Sequence, residues 1–200
     1  MVSITLHGFT SPNPPKIRLA LEELGLDYEW RFVDLYKRAN ETEEFRALSP
    51  RGTVPVLEID GVVLWDSGAA LLHLANREGR LMPSDPADAA TALNLLFMEA
   101  NLFQEPAGVY FFNKVIYPMM GRGPNLERKA KADNKLAVVL PILESVLGDS
   151  DYLFGDEPTI VDLAFGPWLQ YLDLDDRPLL KGWFERLRGR PSWAVCYPDA

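Results

Sequence analysis

The stretch Val54-Pro55-Val56-Leu57-Glu58-Ile59-Asp60-Gly61-Val62-Val63-Leu64-Trp65-Asp66-Ser67 decides the fold. Two short apolar runs flank Asp60-Gly61, a pair that accepts the left-handed backbone of a tight hairpin turn, so the runs should pair antiparallel. Pro55, which opens the first run, is tolerated at a sheet edge. Asp66-Ser67 then starts a helix through Leu71, Leu74 and Ala75, and Gly79 closes it. Upstream, Asp27 to Val33 alternates Tyr28, Trp30 and Phe32 on one side of a further strand, which leads into a charged loop, Asp34 to Ser49. Before that strand, Ile17, Ala20, Leu21 and Leu24 fall on one helical face ended by Gly25. Ser3 to His7 alternates as a half-buried strand ending at Gly8, and a polar, proline-rich turn, Thr10 to Pro15, joins it to that helix. The order βαβ then ββα predicts a compact α/β unit with one mixed sheet over residues 1–79.

Residues 80–86 combine turn formers without periodicity and read as a linker. Everything strong after it, residues 87–200, is helical. Ala87 to Gln104 and Leu126 to Leu147 are amphipathic, and Pro141 predicts a kink in the second because it lacks a backbone donor and crowds the preceding turn. Thr159-Ile160-Val161-Asp162 sets a hydroxyl and a carboxylate three apart ahead of an apolar face, a capping box with Asp in place of Glu. Leu179 to Arg188 is a last short helix.

The 200 residues carry 48% hydrophobic and 24% charged side chains, enough to bury a core. A net charge of −9 without a basic block argues against nucleic acid as a partner. The N-terminal residues lack a positive segment followed by a long apolar run, and no stretch approaches the roughly 18 apolar residues that cross a bilayer, so a cytoplasmic protein without membrane partners is expected. One cysteine, Cys196, and two separated histidines, His7 and His73, predict neither an internal disulfide nor a metal site.

Several separated motifs together resemble the cytosolic glutathione S-transferases. They are Ser11-Pro12-Asn13 with Lys16-Ile17 and Ala20-Leu21-Glu22-Glu23-Leu24-Gly25; Ser49-Pro50-Arg51-Gly52-Thr53-Val54-Pro55-Val56-Leu57; Asp66-Ser67; Phe154-Gly155-Asp156 followed by Thr159-Ile160-Val161-Asp162-Leu163-Ala164; and Trp183 with Arg190-Pro191. The Ser-Pro-Asn turn most resembles the nu class and its fungal relatives, with the phi class next. The resemblance implies a thioredoxin-like, glutathione-binding domain over 1–79, an all-helical domain over 87–200 that contributes the electrophile pocket, and a homodimer.

It also implies site residues. Ser11 and Asn13, in a loop of donors ahead of a helix and beside Lys16, would stabilise the glutathione thiolate, although the same residue types commonly serve turns and helix caps. Val54, before a cis Pro55, would pair its main chain with the cysteinyl residue. Ser67 would take the γ-glutamyl carboxylate at a helix N-terminus and Asp66 would help hold the amino group, where relatives more often carry Glu. Thr53 stands where many relatives have Lys or Gln, so the resemblance implies that the glycyl carboxylate falls to Arg51, Lys37 or Arg38, or goes without this contact. Phe103, Glu105, Tyr110, Phe111 and Phe112 form the candidate electrophile wall, of which Tyr110 is favoured. Thr159 and Asp162 are assigned to structure, His7 to a strand-end contact and Cys196 to no role. The implied activity is transfer of glutathione to a hydrophobic electrophile, or its use to reduce disulfides. The rival is a non-catalytic binding or regulatory module on the same fold.

Overall fold

The computed structural model describes residues 4–198. Ser3, expected in the first strand, lies outside them. By chain contacts the protein divides into one unit of residues 1–81 with 191–200, and a second of residues 82–190.

The first unit is a four-stranded mixed sheet with order β2-β1-β3-β4. Strand β1 (Thr5–Gly8) pairs parallel with β2 (Glu29–Phe32) and antiparallel with β3 (Val56–Ile59), and β3 pairs antiparallel with β4 (Val62–Leu64). At the β3–β4 turn Asp60 and Gly61 both take positive φ, 50° and 77°, as the Asp-Gly signal requires. Helices α1 (Asn13–Leu24) and α3 (Ser67–Glu78) pack against one another, and each stops at a left-handed glycine, Gly25 and Gly79.

What holds α1 against the sheet is an aromatic contact that fixes a glycine. A Cβ on Gly8 would meet the Trp30 indole at 2.3 Å and Pro14 at 2.8 Å, so the ring and the helix start share space that only glycine leaves open. The Arg18 guanidinium lies over Trp30, 5.5 Å from the ring centroid, and its Nε donates to the Tyr28 hydroxyl at 2.8 Å. Tyr28 in turn donates to Glu22 at 2.7 Å. Burial, aided by the Glu22 contact, pushes the Tyr28 phenol up to about 12.

The loop expected from Asp34 to Ser49 holds a 3₁₀ turn (Ala39–Glu41) and a short helix, α2 (Glu43–Leu48). Thr42 caps α2 by accepting from the Phe45 N–H at 3.3 Å, and Glu43 and Glu44 complement its first turn. Phe45 is its one buried side chain and packs with Val33 and Val56. A six-residue helix with one buried side chain, and Leu48 partly buried beside it, is too short to show a periodicity.

The second unit is helical. Helix α4 (Pro86–Met98) does not end at Gln104 as the pattern predicts. It continues through a π turn (Glu99–Phe103), α5 (Gln104–Phe111), a second π turn (Phe112–Ile116) and α6 (Tyr117–Met119). The two π turns shift the phase of the buried face, which hides the continuity from a fixed helical period. Helix α7 (Leu126–Leu147) carries Pro141 on an exposed surface and is helical on both sides of it. Helix α8 (Ile160–Leu169) is buried along its whole length, and α9 (Pro178–Arg188) packs on it. Contrary to the sequence-based division, the last helix, α10 (Pro191–Cys196), belongs to the first unit, where it packs on α1 and the Ser192 hydroxyl bonds Glu23.

The start of α8 is the best-satisfied polar cluster of the second unit. Asp162, fully buried, accepts from the N–H and hydroxyl of Thr159 at 2.7 and 2.8 Å, from the Leu153 N–H at 2.9 Å and from the Trp183 indole at 2.9 Å. The expected capping box is therefore also a knot that ties the preceding loop and α9 to α8. Asp162→Ala removes the cap and strands buried donors, and should cost about 3 kcal/mol in urea unfolding. Thr159→Ala, which leaves the Leu153 and Trp183 donors satisfied, should cost about 1 kcal/mol. Equal losses would show that the cap alone matters.

Candidate active site

The register of the sheet brings the candidate residues of the first unit to one end. His7 faces Val56 and Leu57 faces Leu64, so the chain leaves β1 toward Ser11, enters β3 from Val54-Pro55, and leaves β4 toward Asp66-Ser67 at the same sheet edge. Because α1 and α3 follow β1 and β4 directly, both begin there. Two helix N-termini side by side favour negative charge.

The two termini offer different donors. Helix α1 was expected to present its first free N–H groups, but Pro12, Pro14 and Pro15 have none, and the Ser11 N–H donates to the Phe9 carbonyl at 2.8 Å. No side chain caps α1. The half-buried Ser11 hydroxyl is thus not spent on the helix, and Asn13, also half-buried, is its first residue. Lys16 is fully buried and offers no charge to solvent. At α3 the backbone itself is available. Asp66 caps the helix by accepting from the Ala69 N–H at 3.0 Å, while the N–H groups of Ser67 and Gly68 precede the helix's own hydrogen bonding. Ser67 is buried, with its hydroxyl at the first turn. One Asp66 oxygen is committed to the cap, which reduces what it can give to a ligand amine.

Between these termini lies the Val54–Pro55 bond, which is cis. Its approach is set by Ser49, a fully buried serine whose hydroxyl donates to the Thr53 carbonyl at 2.9 Å and accepts from the Thr53 N–H at 3.1 Å. The Asn40 amide donates to the Gly52 carbonyl at 2.8 Å, and Gly52 sits at φ 62° with no room for a Cβ, which would lie 2.9 Å from the Asn40 carbonyl. Among the described residues Val54 gives its N–H and C=O to no backbone partner, so this segment presents an open strand edge. Sequence reasoning assigned no role to Asn40, or to Ser49 beyond its place in a motif; Ser49 stands at the Gly-containing turn it fixes, whereas Asn40 lies twelve residues from the Gly52 it bonds, a contact that no local signal announces.

The basic candidates separate. Arg38 pairs with Glu41 at 3.0 Å and Lys37 with Asp34 at 3.5 Å, both within their own loop. Arg51 is exposed and has no ion pair among the described residues. His7 is buried and bonded to Glu58 at 2.7 Å, the strand-end contact expected of it.

In the second unit two of the five expected electrophile-wall residues are core. Phe103 is fully buried against Phe165, with ring centroids 4.8 Å apart, and Phe111 packs on Tyr171 at 5.0 Å. Glu105 pairs with Lys135, and Phe112 is exposed. Tyr110 lines a cavity of about 400 Å³ between α5, α7 and the segment after α8, floored by Leu136, Leu140 and Leu172. Its hydroxyl donates to Asp133 and accepts from Lys129 at 3.0 Å. Burial, then the Asp133 bond, raises the phenol above its ordinary range.

The chain belongs to the glutathione S-transferase family. The family's N-terminal domain matches residues 10–77 and its C-terminal domain residues 110–191. A glutathione S-transferase of Hyoscyamus muticus is 31% identical over 96% of this chain and 97% of its own. The disulfide-bond oxidoreductase YfcG of Escherichia coli is 30% identical over 94% and 92%. The structure of a glutathione transferase family member from Pseudomonas fluorescens, with two glutathione bound, superimposes with a TM-score of 0.84 at 25% identity, covering 97% of this chain and 92% of that one.

The protein's own thiol is unsuited to nucleophilic work. Burial beside Glu22, against a smaller opposing effect of Arg18, pushes Cys196 up to about 12. At pH 8 that leaves roughly one thiolate in ten thousand, against about one in four for an unperturbed thiol near 8.5. Iodoacetamide at pH 8 should therefore label the native chain at least about a hundredfold more slowly than the urea-unfolded chain. Rates within tenfold of each other would mean that the thiol is not held in this environment.

Proposed function

We propose that the first unit binds glutathione, holds its thiol as the thiolate, and delivers the sulfur to a hydrophobic electrophile or to a disulfide. The convergence at one sheet end of the Ser67 turn, the open edge at Val54-Pro55 and the Ser11 hydroxyl supports this reading most. A tripeptide with two carboxylates and a thiol needs an anion site at each end and a strand edge between, and these residues supply those in order. Ser67 with the first-turn N–H groups takes the γ-glutamyl carboxylate, Asp66 the amine, Val54 the cysteinyl main chain, and Arg51 the glycyl carboxylate, with Arg38 the weaker candidate because Glu41 already pairs it. Ser11 and Asn13 face the sulfur.

The thiol gives its proton to solvent, and the Ser11 hydroxyl and the Asn13 amide donate to the resulting anion. In conjugation the thiolate forms a carbon–sulfur bond as the leaving group departs with its electron pair. In disulfide reduction it attacks one sulfur, the other leaves as a thiolate, and a second glutathione resolves the mixed disulfide. Both chemistries occur among the relatives by name, and a panel of one aryl halide, one organic disulfide and one peroxide assigns the preference. Residues 1–79, joined by the returning helix α10, are the glutathione domain, 80–86 the linker, and the helices from α4 to α9 the domain whose Tyr110 wall serves the electrophile. Among the described residues no helix is long and apolar enough to cross a membrane. The protein acts in the cytoplasm as a homodimer, which sedimentation at micromolar concentration tests.

Two substitutions test the site. Ser67→Ala removes a hydrogen bond to a carboxylate worth about 1.5–3 kcal/mol, so glutathione affinity should fall roughly ten- to hundredfold in calorimetry, with KM rising more than kcat falls. Unchanged affinity would place glutathione elsewhere. For the thiolate, lowering a thiol from about 8.5 to about 6.5 asks about 2.7 kcal/mol, which one or two hydrogen bonds to an anion supply. Ser11→Ala should raise the bound thiol's pKa and slow turnover at pH 6.5, with much of the loss recovered at pH 9; Asn13→Ala should act likewise but less. The depleted backbone donors of α1 sharpen this expectation. Identical thiolate absorbance titrations near 240 nm in all three proteins would remove both residues from the mechanism.

A further inference from the structure

Much of the positive charge of this acidic chain is gathered where α6 turns into α7. Residues 112–131 are a tenth of the sequence, yet they hold five of its 20 basic residues and one of its 29 acidic ones. Three of those cations are matched: Lys114 by Asp173 at 2.7 Å, Lys129 by Asp133 at 3.2 Å and Lys131 by Glu127 at 2.7 Å. Arg122 and Arg128 have no ion pair among the described residues. Around them stand Met119, Met120 and Leu126, which are 66%, 60% and 69% exposed. Single exposed apolar residues are ordinary, but three this close in the chain, with one arginine between them and another just after, make a patch of mixed apolar and basic character.

The backbone holds that patch at the crown of a closed turn. Its two arms are clasped by Asn113, whose side chain accepts from the Asn125 N–H at 2.9 Å and donates to the Asn125 carbonyl at 3.5 Å. Asn125 in turn caps α7 by accepting from the Arg128 N–H at 2.9 Å. Beyond the clasp the Met120 N–H donates to the Ile116 carbonyl at 3.1 Å and the Gly121 N–H to the Pro118 carbonyl at 2.9 Å, with Gly121 at a left-handed φ of 65°. The Arg122 N–H donates to the Tyr117 carbonyl at 2.8 Å, and its guanidinium lies over the Tyr117 ring, 5.1 Å from the centroid. Every residue from Pro118 to Arg128 is exposed. The crown is thus an exposed turn closed by its own hydrogen bonds.

We propose that this crown docks the protein on an anionic lipid surface, with Met119, Met120 and Leu126 entering the acyl boundary and Arg122 and Arg128 at the level of the phosphates. Charge complementarity selects the partner, because unpaired guanidinium groups beside bare apolar side chains match a surface that is negative outside and apolar beneath. An acidic protein face would satisfy the arginines and leave the methionines and Leu126 against charge. The net charge of −9 does not forbid the contact, since at physiological ionic strength charges farther than about 8 Å from the surface are largely screened. The expectation of no membrane partner rested on the lack of a spanning stretch, and a surface contact needs none. The inference stands apart from the glutathione reading.

Co-sedimentation of the chain with vesicles tests it, comparing phosphatidylcholine alone with phosphatidylcholine containing about one third phosphatidylserine. The anionic vesicles should be bound about tenfold more tightly, and added salt should shrink that margin. Arg122→Glu should weaken the binding about tenfold, since each cation near such a surface contributes about fivefold and its reversal repels. Met119→Ser/Met120→Ser should weaken it about tenfold with the charge unchanged. Arg188→Glu, the same change of charge at an exposed position of α9, should alter it by about twofold or less. Urea midpoints close to that of the native protein show that a loss is one of binding. Binding to neither vesicle overturns the proposal, as does equal binding to both, which would leave the arginines without a part. Equal losses in Arg122→Glu and Arg188→Glu also overturn it, because net charge and not the crown would then set the affinity. Self-association that Arg122→Glu abolishes, without vesicle binding, overturns it by making the crown a contact with an acidic face of a second copy.

Discussion

The antiparallel pairing of β3 with β1, which sets Val56 opposite His7, is the constraint on which the rest of the first unit depends. Because β3 lies between β1 and β4, its direction decides which chain ends share an edge. Reversed, β3 would put Val54-Pro55 at the far end of the sheet from Ser11. The pairing is held by burial on both faces, with Leu57 and Val56 fully buried on opposite sides. A slip of one residue would exchange those faces and place Glu58 where Leu57 packs. The His7–Glu58 bond adds a polar check on the same register, since it joins residues two positions apart across the ladder on one face.

Given that edge, the two helix starts would divide the proposed binding work by chemistry. At α3 the main chain supplies the donors, and a backbone N–H cannot be retuned by changing a side chain. At α1 three prolines deplete the first turn of backbone donors and shift that work toward side chains. On the proposed reading the anion at α3 is a carboxylate that stays ionised throughout the reaction, so fixed dipoles would suffice. The proposed anion at α1 would gain and lose its charge as the thiol ionises and the sulfur reacts, and a hydroxyl that rotates can follow that change.

Much of this was legible in the sequence because its signals are local. Asp60-Gly61, Gly25, Gly79, Asp66 and the Thr159–Asp162 pair each act within a few residues, and each stands where its chemistry predicts. What was hidden depends on contacts distant in sequence or on phase. Helix α2 exists because Phe45 finds Val33 and Val56, and nothing within Glu43–Leu48 announces those partners. The run from Pro86 to Met119 reads as interrupted because two π turns break the period without breaking the helix. The return of α10 to the first unit rests on α1, about 170 residues earlier, and a linear division into domains cannot anticipate it. For the site, residue types were readable but their availability was not. That Arg38 is paired while Arg51 has no ion pair among the described residues, and that Asp66 spends an oxygen on its own helix, are facts of geometry.

The absence of a usable internal thiol bears on why such a site is assembled from hydroxyls and amides. Cys196 is placed where burial disfavours its anion, on a helix that packs against α1. A reactive thiolate of the chain's own near the substrate would compete with glutathione for the same electrophiles and be consumed by the first one it met. An imported thiol leaves with the product, and the protein is regenerated. The chain therefore has to stabilise an anion it does not own, for long enough to react and weakly enough to release. Hydrogen bonds to sulfur meet that condition, since each contributes about 1–3 kcal/mol, enough to ionise a thiol near neutrality without trapping it.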